Sequence, residues 1–392
     1  MTVLNVDIKY MAGLSFDCSC GRRHSAGIKT IMTGSGVLHG LKDILEPFRQ
    51  GELFLMADNN TWDVCGRNVE QLLSVEGFCI KSFVFRSETP LVPDEKAVGR
   101  LLLEMSSETS AIIAVGSGSL NDLARVLSCR LGKPYIIVGT APSMDGYASI
   151  VSPLIVEGFK TTFNGVYPYA IVADTEIMKR APEDMIRAGF GDIAGKLTAL
   201  TDWDLSRRIN GEYYCDTIVK LVNRAIGKCI DSAAGLAVRD EAAIESLIEA
   251  LILTGVAMGF TGNSRPASGS EHHLAHYWEM DALSEGREHA LHGNSVGVGT
   301  VVISHMYELL SDELPEGFEY PKPAFIAGLL EKAGSYPNPA SIGIDKRLFR
   351  DSILNAYKIR ERFTIMRLAA SLNKLEDLAD ILTRRFYGQG HK

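Results

Sequence analysis

From Thr30 onward the chain alternates short, almost unbroken apolar runs with stretches of helical period. TIMT, LFLMAD, AIIAV, YIIVG and YAIVAD are apolar at nearly every position, as expected of strands buried on both faces of a parallel sheet. Between them VLHGLKDILEPFRQG, the segment from about Asp94 to Met105, and LARVLSCRL space their apolar residues as helices do. Strand, glycine turn, helix and strand in that order predict βαβ units. IVSPLIVE and FKTTFN, joined around Gly158, predict a hairpin, and residues 1–29 predict one or two edge strands. Beyond Pro182 the period is almost wholly helical. A chain of 392 residues exceeds the size of one core. The expected architecture is therefore α/β: a Rossmann-like parallel-sheet domain over 1–180, followed by an all-helical domain over 181–392.

The most apolar stretch, Ala242 to Gly259, carries Glu245 and Glu249, so it reads as a buried core helix and not a membrane span. The net charge of −8 and the lack of a long basic run argue against a nucleic-acid or anionic-membrane partner. An anionic substrate would need basic groups supplied locally. The N-terminal sequence has no basic segment leading into an apolar one, so no secretory signal is expected and the protein is placed in the cytoplasm. Seven dispersed cysteines suit reduced thiols. Cys18-x-Cys20-Gly-x-x-His24 lacks a second pair at metal-ligand spacing and reads as a strand or hairpin turn.

Two glycine loops follow predicted strands. Gly34-Ser-Gly36 is one residue off the dinucleotide fingerprint and reads equally as a plain turn, although Asp58 closes the next strand at the distance where an acidic residue would hold a ribose. Gly116-Ser-Gly118-Ser119-Leu120-Asn121-Asp122, between a strand and a helix, is the better phosphate cradle, because free N–H groups at a helix start suit a pyrophosphate. The polar turn Thr140-Ala141-Pro142-Ser143-Met-Asp145-Gly-Tyr-Ala-Ser149 follows another strand at its carboxyl end, where open α/β sheets bind ligands.

Five of nine histidines, His272, His273, His276, His289 and His292, fall between Ser268 and Gly293. Ser268 and Glu271 make a capping box, predicting a helix from about Gly269. Four residues rotate by roughly 400°, which leaves His272 and His276 on one face and turns His273 away. A second helix is predicted from His292, with Gly293 and Gly297 permitting close backbone approach. Two imidazoles and a carboxylate suit a borderline-soft divalent ion with an open position for substrate. Asp192, in Gly189-Phe-Gly191-Asp192-Ile-Ala-Gly-Lys196, opens a predicted helix of small apolar residues and must be paired, capped or ligated. A pair with Lys196 and a place in a metal site are both open.

The motifs GSGSLND, TAPSMDGYAS, GFGDIAGK, SRPASGSEHHLAH and ALHGNSVGVG, in this order and spacing, resemble the sn-glycerol-1-phosphate dehydrogenases, in particular their bacterial, arabinose-operon-type branch. That family sits in the dehydroquinate synthase-like, iron-containing alcohol dehydrogenase superfamily. The resemblance implies Asp192, His272 and His292 as metal ligands and His276 and Asp145 as substrate contacts. It also implies NAD(P)H contacts from Gly118 to Asp122, Thr140 to Ser143 and Ser149, with Asp58 on the ribose. Ser117 departs from the glycine that many relatives carry. The ion implied is nickel or zinc, with iron compatible with the same donors, and the assembly implied is a homodimer.

On this reading the ion polarises the ketone of dihydroxyacetone phosphate while the reduced nicotinamide supplies hydride, giving glycerol 1-phosphate. His276 would hydrogen-bond a hydroxyl or relay a proton, Asp145 would orient the other hydroxyl, and Arg265 is the expected phosphate clamp by charge and position. Glycerol oxidation or sugar-phosphate cyclisation on the same scaffold, or a nicotinamide-binding sensor with a structural metal, are the rival readings.

Overall fold

The computed structural model describes residues 6–388, so the first five residues of the stretch read as edge strands lie outside it. The chain forms two compact units. The first comprises the chain up to Cys18, Arg22–Pro182 and Leu251–Phe260, and the second comprises Ser19–Gly21, Glu183–Ala250 and the chain from Thr261 onward.

In the first unit, β1 (Ser15–Asp17) and β2 (Arg23–Ser25) form a hairpin whose turn carries Cys18 and Cys20. The main sheet holds β3 (Thr30–Gly34), β4 (Glu52–Asp58), β5 (Cys79–Phe85), β6 (Thr109–Gly116), β7 (Tyr135–Gly139) and β10 (Ala170–Asp174) in the order β3-β10-β7-β6-β4-β5. Every pairing in it is parallel. The predicted strands are present because their apolar runs fill both faces. Leu53 to Ala57 and Ala111 to Val115 are fully buried. A layer of Leu41, Leu45, Val69 and Leu73 packs on one face against Leu55, Ile113, Val138 and Val172. Each such aliphatic contributes about 1.5–3 kcal/mol on burial, before chain entropy is counted. β8 (Val151–Val156) and β9 (Phe159–Asn164) form the predicted antiparallel hairpin.

The sequence pattern left the interval between Asp58 and Asp94 unassigned, and the structure fills it with a helix over Arg67–Val75 and the edge strand β5. β5 is half exposed along most of its length, and Lys81 and Ser82 interrupt its apolar run, so it lacks the signature of its buried neighbours. From β4 the chain moves outward to β5, whereas from β6 it moves the opposite way through β7 to β10. The order therefore reverses between β4 and β6, which opens a crevice at their carboxyl ends.

Leu251–Phe260, expected in the helical domain, belongs to the first unit. Gly255 explains it: a Cβ there would collide with the Asp145 carbonyl and crowd Ala148, so this segment packs tightly against the loop after β7. The helix that contains it, Glu241–Thr261, is long and apolar enough to cross a membrane, but most of its apolar window is buried inside the protein.

The second unit is helical. Its longest element, Glu183–Asn210, starts with Glu183 and Asp184 in the first turn, where acidic side chains favour the helix dipole. Asp192 thus lies within this helix, not at its start as the glycine-rich sequence suggested. The glycines serve packing instead. A Cβ on Gly191 would strike the Gly293 carbonyl and one on Gly293 the Ala188 carbonyl, so only glycine lets this helix press against His292–Leu309. The helix Ser270–Ser284 packs beside them, with Leu274 and Trp278 in a core completed by Leu205, Val298, Val302, Met306 and Phe349.

Candidate functional site

The helix Ser270–Ser284 begins within a residue of the predicted start, but its cap differs. Gly269 is the N-cap, its N–H donates to Glu271 Oε1 at 2.6 Å, and Ser270 N–H donates to Asp202 Oδ2, also at 2.6 Å. Ser268 makes no capping bond to this helix. Asp202 comes from the Glu183–Asn210 helix and also accepts from Tyr307 Oη at 2.6 Å and from Ile365 N–H at 2.8 Å. Burial and then nearby Glu271 push its carboxyl up to about 6.

Three of the five clustered histidines lie together. Ring centroids of His272 and His292 are 5.3 Å apart, those of His276 and His292 5.2 Å, and those of His272 and His276 6.2 Å. His273 points elsewhere and is fully buried, with neither ring nitrogen hydrogen-bonded. His289 is exposed, and its Nδ1 faces the Ala290 carbonyl at 2.8 Å.

Each of the three clustered rings is oriented by a carboxylate at Nδ1. Glu271 Oε1 lies 2.7 Å from His272, Glu279 Oε1 lies 2.6 Å from His292, and Glu279 Oε2 lies 3.3 Å from His276. Carboxylates behind imidazoles fix the tautomer that presents Nε2 to a ligand. Glu279 escaped the sequence reading, although its spacing of three from His276 was visible.

Asp192 completes the arrangement. It is almost fully buried, Lys196 Nζ approaches its Oδ1 at 2.5 Å, and His272 Nε2 lies 3.6 Å from the same oxygen. Burial would raise this carboxyl, but the Lys196 ammonium and His272 hold it well below the usual carboxylate range. Burial opposes protonation of His272, and Asp192 and Glu271 outweigh it to raise the imidazole. The separation of 3.6 Å is too long for a hydrogen bond. It is close to the distance of about 3.4 Å between donors held some 2.1 Å from one tetrahedral ion.

Around the histidines, two combinations of donors are candidates for a metal, and one of them is already gathered. The ligand atoms of His276, Glu279 and His292 lie within 4.8 Å of one another. Glu279, however, already engages the Nδ1 atoms of both histidines, and an ion there would have to displace a bond of 2.6 Å. The other set is Asp192, His272 and His292: both histidines keep Nε2 clear of the carboxylates behind their rings, and an ion at Asp192 Oδ1 would share or displace the Lys196 contact of 2.5 Å.

Arg265, the expected clamp, is nearly buried and its donors are engaged. Nε donates to Glu212 Oε1 at 2.7 Å, Nη2 donates to the other oxygen of the same carboxylate, and Nη1 donates to the Phe363 carbonyl at 2.9 Å. The geometry makes it a brace for the loop before the histidine helix.

In the first unit, the helix Gly118–Leu131 starts directly after β6, with Ser117 at its N-cap. The N–H groups of Gly118, Ser119 and Leu120 open that helix and have no acceptor within it. Ser117 has negative φ and so needs no glycine, and its Oγ meets Ser143 Oγ at 2.6 Å, which ties the loop to the turn after β7. Thr140 N–H donates to the Gly116 carbonyl at 3.1 Å. Ala141 and Leu120 are buried, Pro142 follows in the same turn, and Ser149 Oγ pairs with Val151.

Other expected contacts have internal work. Asn121 Nδ2 donates to the Gly146 carbonyl at 3.0 Å, and Asp122 accepts from buried Arg125 at 2.6 Å. Gly34-Ser-Gly36 is a plain turn that Asp174 holds by accepting from Gly36 and Leu38 N–H. Asp145 lies in the loop after β7. Asp58 ends β4 at the crevice and caps the following helix by accepting from Thr61 N–H at 2.8 Å. It also borders a cleft of about 680 Å³ lined by Asn59, Arg86, Ser87 and Thr89.

The family model described as iron-containing alcohol dehydrogenase matches residues 32–182. A glycerol-1-phosphate dehydrogenase [NAD(P)+] of Halalkalibacterium halodurans is 33% identical, the alignment covering 93% of this chain and 98% of that one. The enzyme of the same name from Bacillus velezensis is 36% identical, over 89% and 93%. Among solved structures, a probable glycerol dehydrogenase from Sinorhizobium meliloti superposes with a TM-score of 0.70 at 16% identity, over 93% of this chain and all of that one, a likeness of fold alone.

Proposed function

The chain belongs to the glycerol-1-phosphate dehydrogenase family, and from that premise we propose that it reduces dihydroxyacetone phosphate to sn-glycerol 1-phosphate, using NAD(P)H and one divalent ion. The observation that carries the reading is the 3.6 Å spacing of the Asp192 and His272 donors, beside a second histidine whose Nδ1 is tethered. Asp192, His272 and His292 would hold the ion. Bound there, it supplies Lewis acidity to a ketone oxygen, and nickel, zinc or iron each accept this donor set.

The chain's own groups do the rest. Glu271 and Glu279 keep the ligand imidazoles in the tautomer that presents Nε2. Lys196 neutralises the buried Asp192 carboxylate, which would otherwise be costly to hold as an anion. His276, with Nδ1 on Glu279 and Nε2 3.2 Å from Arg360 Nη2, would exchange or share that second contact to hold a substrate hydroxyl or to move a proton at Nε2. The reversal of strand order between β4 and β6 supports a dinucleotide there, with its pyrophosphate at the N–H groups of Gly118, Ser119 and Leu120 and its ribose at Asp58. A cytoplasmic homodimer is part of the same proposal.

The test is consumption of reduced cofactor by the metal-loaded protein with dihydroxyacetone phosphate, unphosphorylated dihydroxyacetone, or glycerol and oxidised cofactor. Turnover should favour the phosphorylated ketone and yield the sn-1 product on a chiral assay. Glycerol oxidation as the faster reaction would overturn the reading.

A further inference from the structure

With Arg265 engaged by Glu212, the reading above leaves the substrate phosphate without a partner. Two other guanidinium groups converge on the loop before the histidine helix. Arg362 Nη1 donates to the Ser268 carbonyl at 2.6 Å and its Nη2 to Ser264 Oγ at 3.0 Å, so it secures the loop. Arg360 Nη1 reaches Ser268 Oγ at 3.3 Å, and its Nη2 lies 3.2 Å from His276 Nε2. Because a guanidinium can only donate, that contact makes His276 Nε2 the acceptor and puts its proton on Nδ1, toward Glu279.

The charges around this point do not balance. Glu212 answers Arg265, but among the described residues neither Arg360 nor Arg362 forms an ion pair with a carboxylate. Glu212 and Glu271 act on Arg362 through space and partly offset its burial, whereas Arg360 feels burial alone. Both are partly buried, and burial lowers both guanidinium groups, Arg362 to about 10 with Arg265 and Arg360 adding to the effect. A desolvated cation without a counter-charge is destabilising, and an anion arriving from outside would relieve it.

We infer that Arg360 anchors the phosphate of a phosphomonoester substrate, with its second nitrogen setting the tautomer of His276. This rests on the functional reading above. The distances suit a small substrate: the carbonyl carbon and phosphorus of a triose phosphate are three single bonds apart, a reach of about 4 Å. Arg360 contacts His276, whose ring is 5.2 Å from that of His292. A bidentate fork on phosphate oxygens is the chemistry guanidinium performs best.

The test uses the metal-loaded enzyme with Arg360→Gln and Arg360→Lys. The kcat/KM for dihydroxyacetone phosphate should fall about 10- to 100-fold more than that for dihydroxyacetone in the glutamine variant, and less in the lysine variant. Inorganic phosphate, titrated calorimetrically without turnover, should bind the wild type at least about 10-fold tighter than the glutamine variant. Equal losses for both ketones, or phosphate binding indifferent to residue 360, would overturn the anchor. If the glutamine variant fails to fold, the lysine variant decides by the same two readouts. If the wild type binds phosphate through Arg360 but does not reduce dihydroxyacetone phosphate, the anchor stands and the assigned reaction fails.

Discussion

Glu279 holds two histidines at once: its Oε1 lies 2.6 Å from His292 Nδ1 and its Oε2 lies 3.3 Å from His276 Nδ1. A single buried carboxylate therefore orients a proposed metal ligand and a proposed substrate contact together. Glu279→Gln keeps the shape but turns an NH2 donor, in place of an acceptor oxygen, toward one of the two rings. Metal affinity, measured by competition with a chelator, should weaken about 10- to 100-fold. Unchanged affinity would reduce Glu279 to a packing residue.

His292 and His276 should separate. His292→Ala is expected to lose the ion and activity while dinucleotide affinity stays within a few-fold, because the proposed cofactor contacts belong to the other unit. His276→Ala should retain the ion and lose about 10²-fold or more in turnover. Metal content and cofactor titration on the two purified variants check this, and metal loss from the His276 variant alone would interchange the roles.

Asp58 stands at the end of β4 beside the strand-order reversal. A carboxylate there accepts ribose hydroxyls and repels a 2′-phosphate, so NADH should be preferred to NADPH. Asp58→Ala should narrow the ratio of the two kcat/KM values. Because Asp58 also caps the following helix, thermal stability should be measured alongside. An unchanged ratio would put the ribose elsewhere.

Asp122 gives a pH signature. Burial pushes its carboxyl up to about 6 against the attraction of Arg125. The unfolded chain releases this proton near pH 4 and the folded chain only near 6. The native state therefore binds more protons across that window, and this group's contribution to stability falls as pH rises from about 4 to about 6, then levels off. Asp122→Asn cannot titrate and should keep its bond to Arg125. Its stability relative to wild type, from urea unfolding at several pH values, should climb across that window. A flat difference would contradict the shift.

What the sequence made legible follows from where the information lies. The strands TIMT, LFLMAD, AIIAV, YIIVG and YAIVAD could be read because burial on both faces leaves an unbroken apolar run. Edge strand β5 has no such run. The histidines drew notice because they are close along the chain, and the helical period placed His272 and His276 on one face. Asp192 was found, but its helix was started too late, because Gly189, Gly191 and Gly195 resemble breakers until the helix of His292 is seen pressed against Gly191 and Gly195. Arg265 was misjudged since Glu212 lies 53 residues away, and Arg360 was missed since it reaches His276 across 84. Long-range polar pairing leaves no local period to read.

The central claim is that one divalent ion, held by Asp192, His272 and His292, is required for reduction of the triose phosphate. The most direct measurement strips the purified protein of metal and titrates nickel, zinc or iron back while following NADH oxidation by dihydroxyacetone phosphate. Activity should be lost on stripping and return in proportion to bound metal, saturating at one ion per chain, and the Asp192→Ala protein should recover none. Full activity in the metal-free protein, or recovery in the Asp192 variant equal to wild type, would contradict the account.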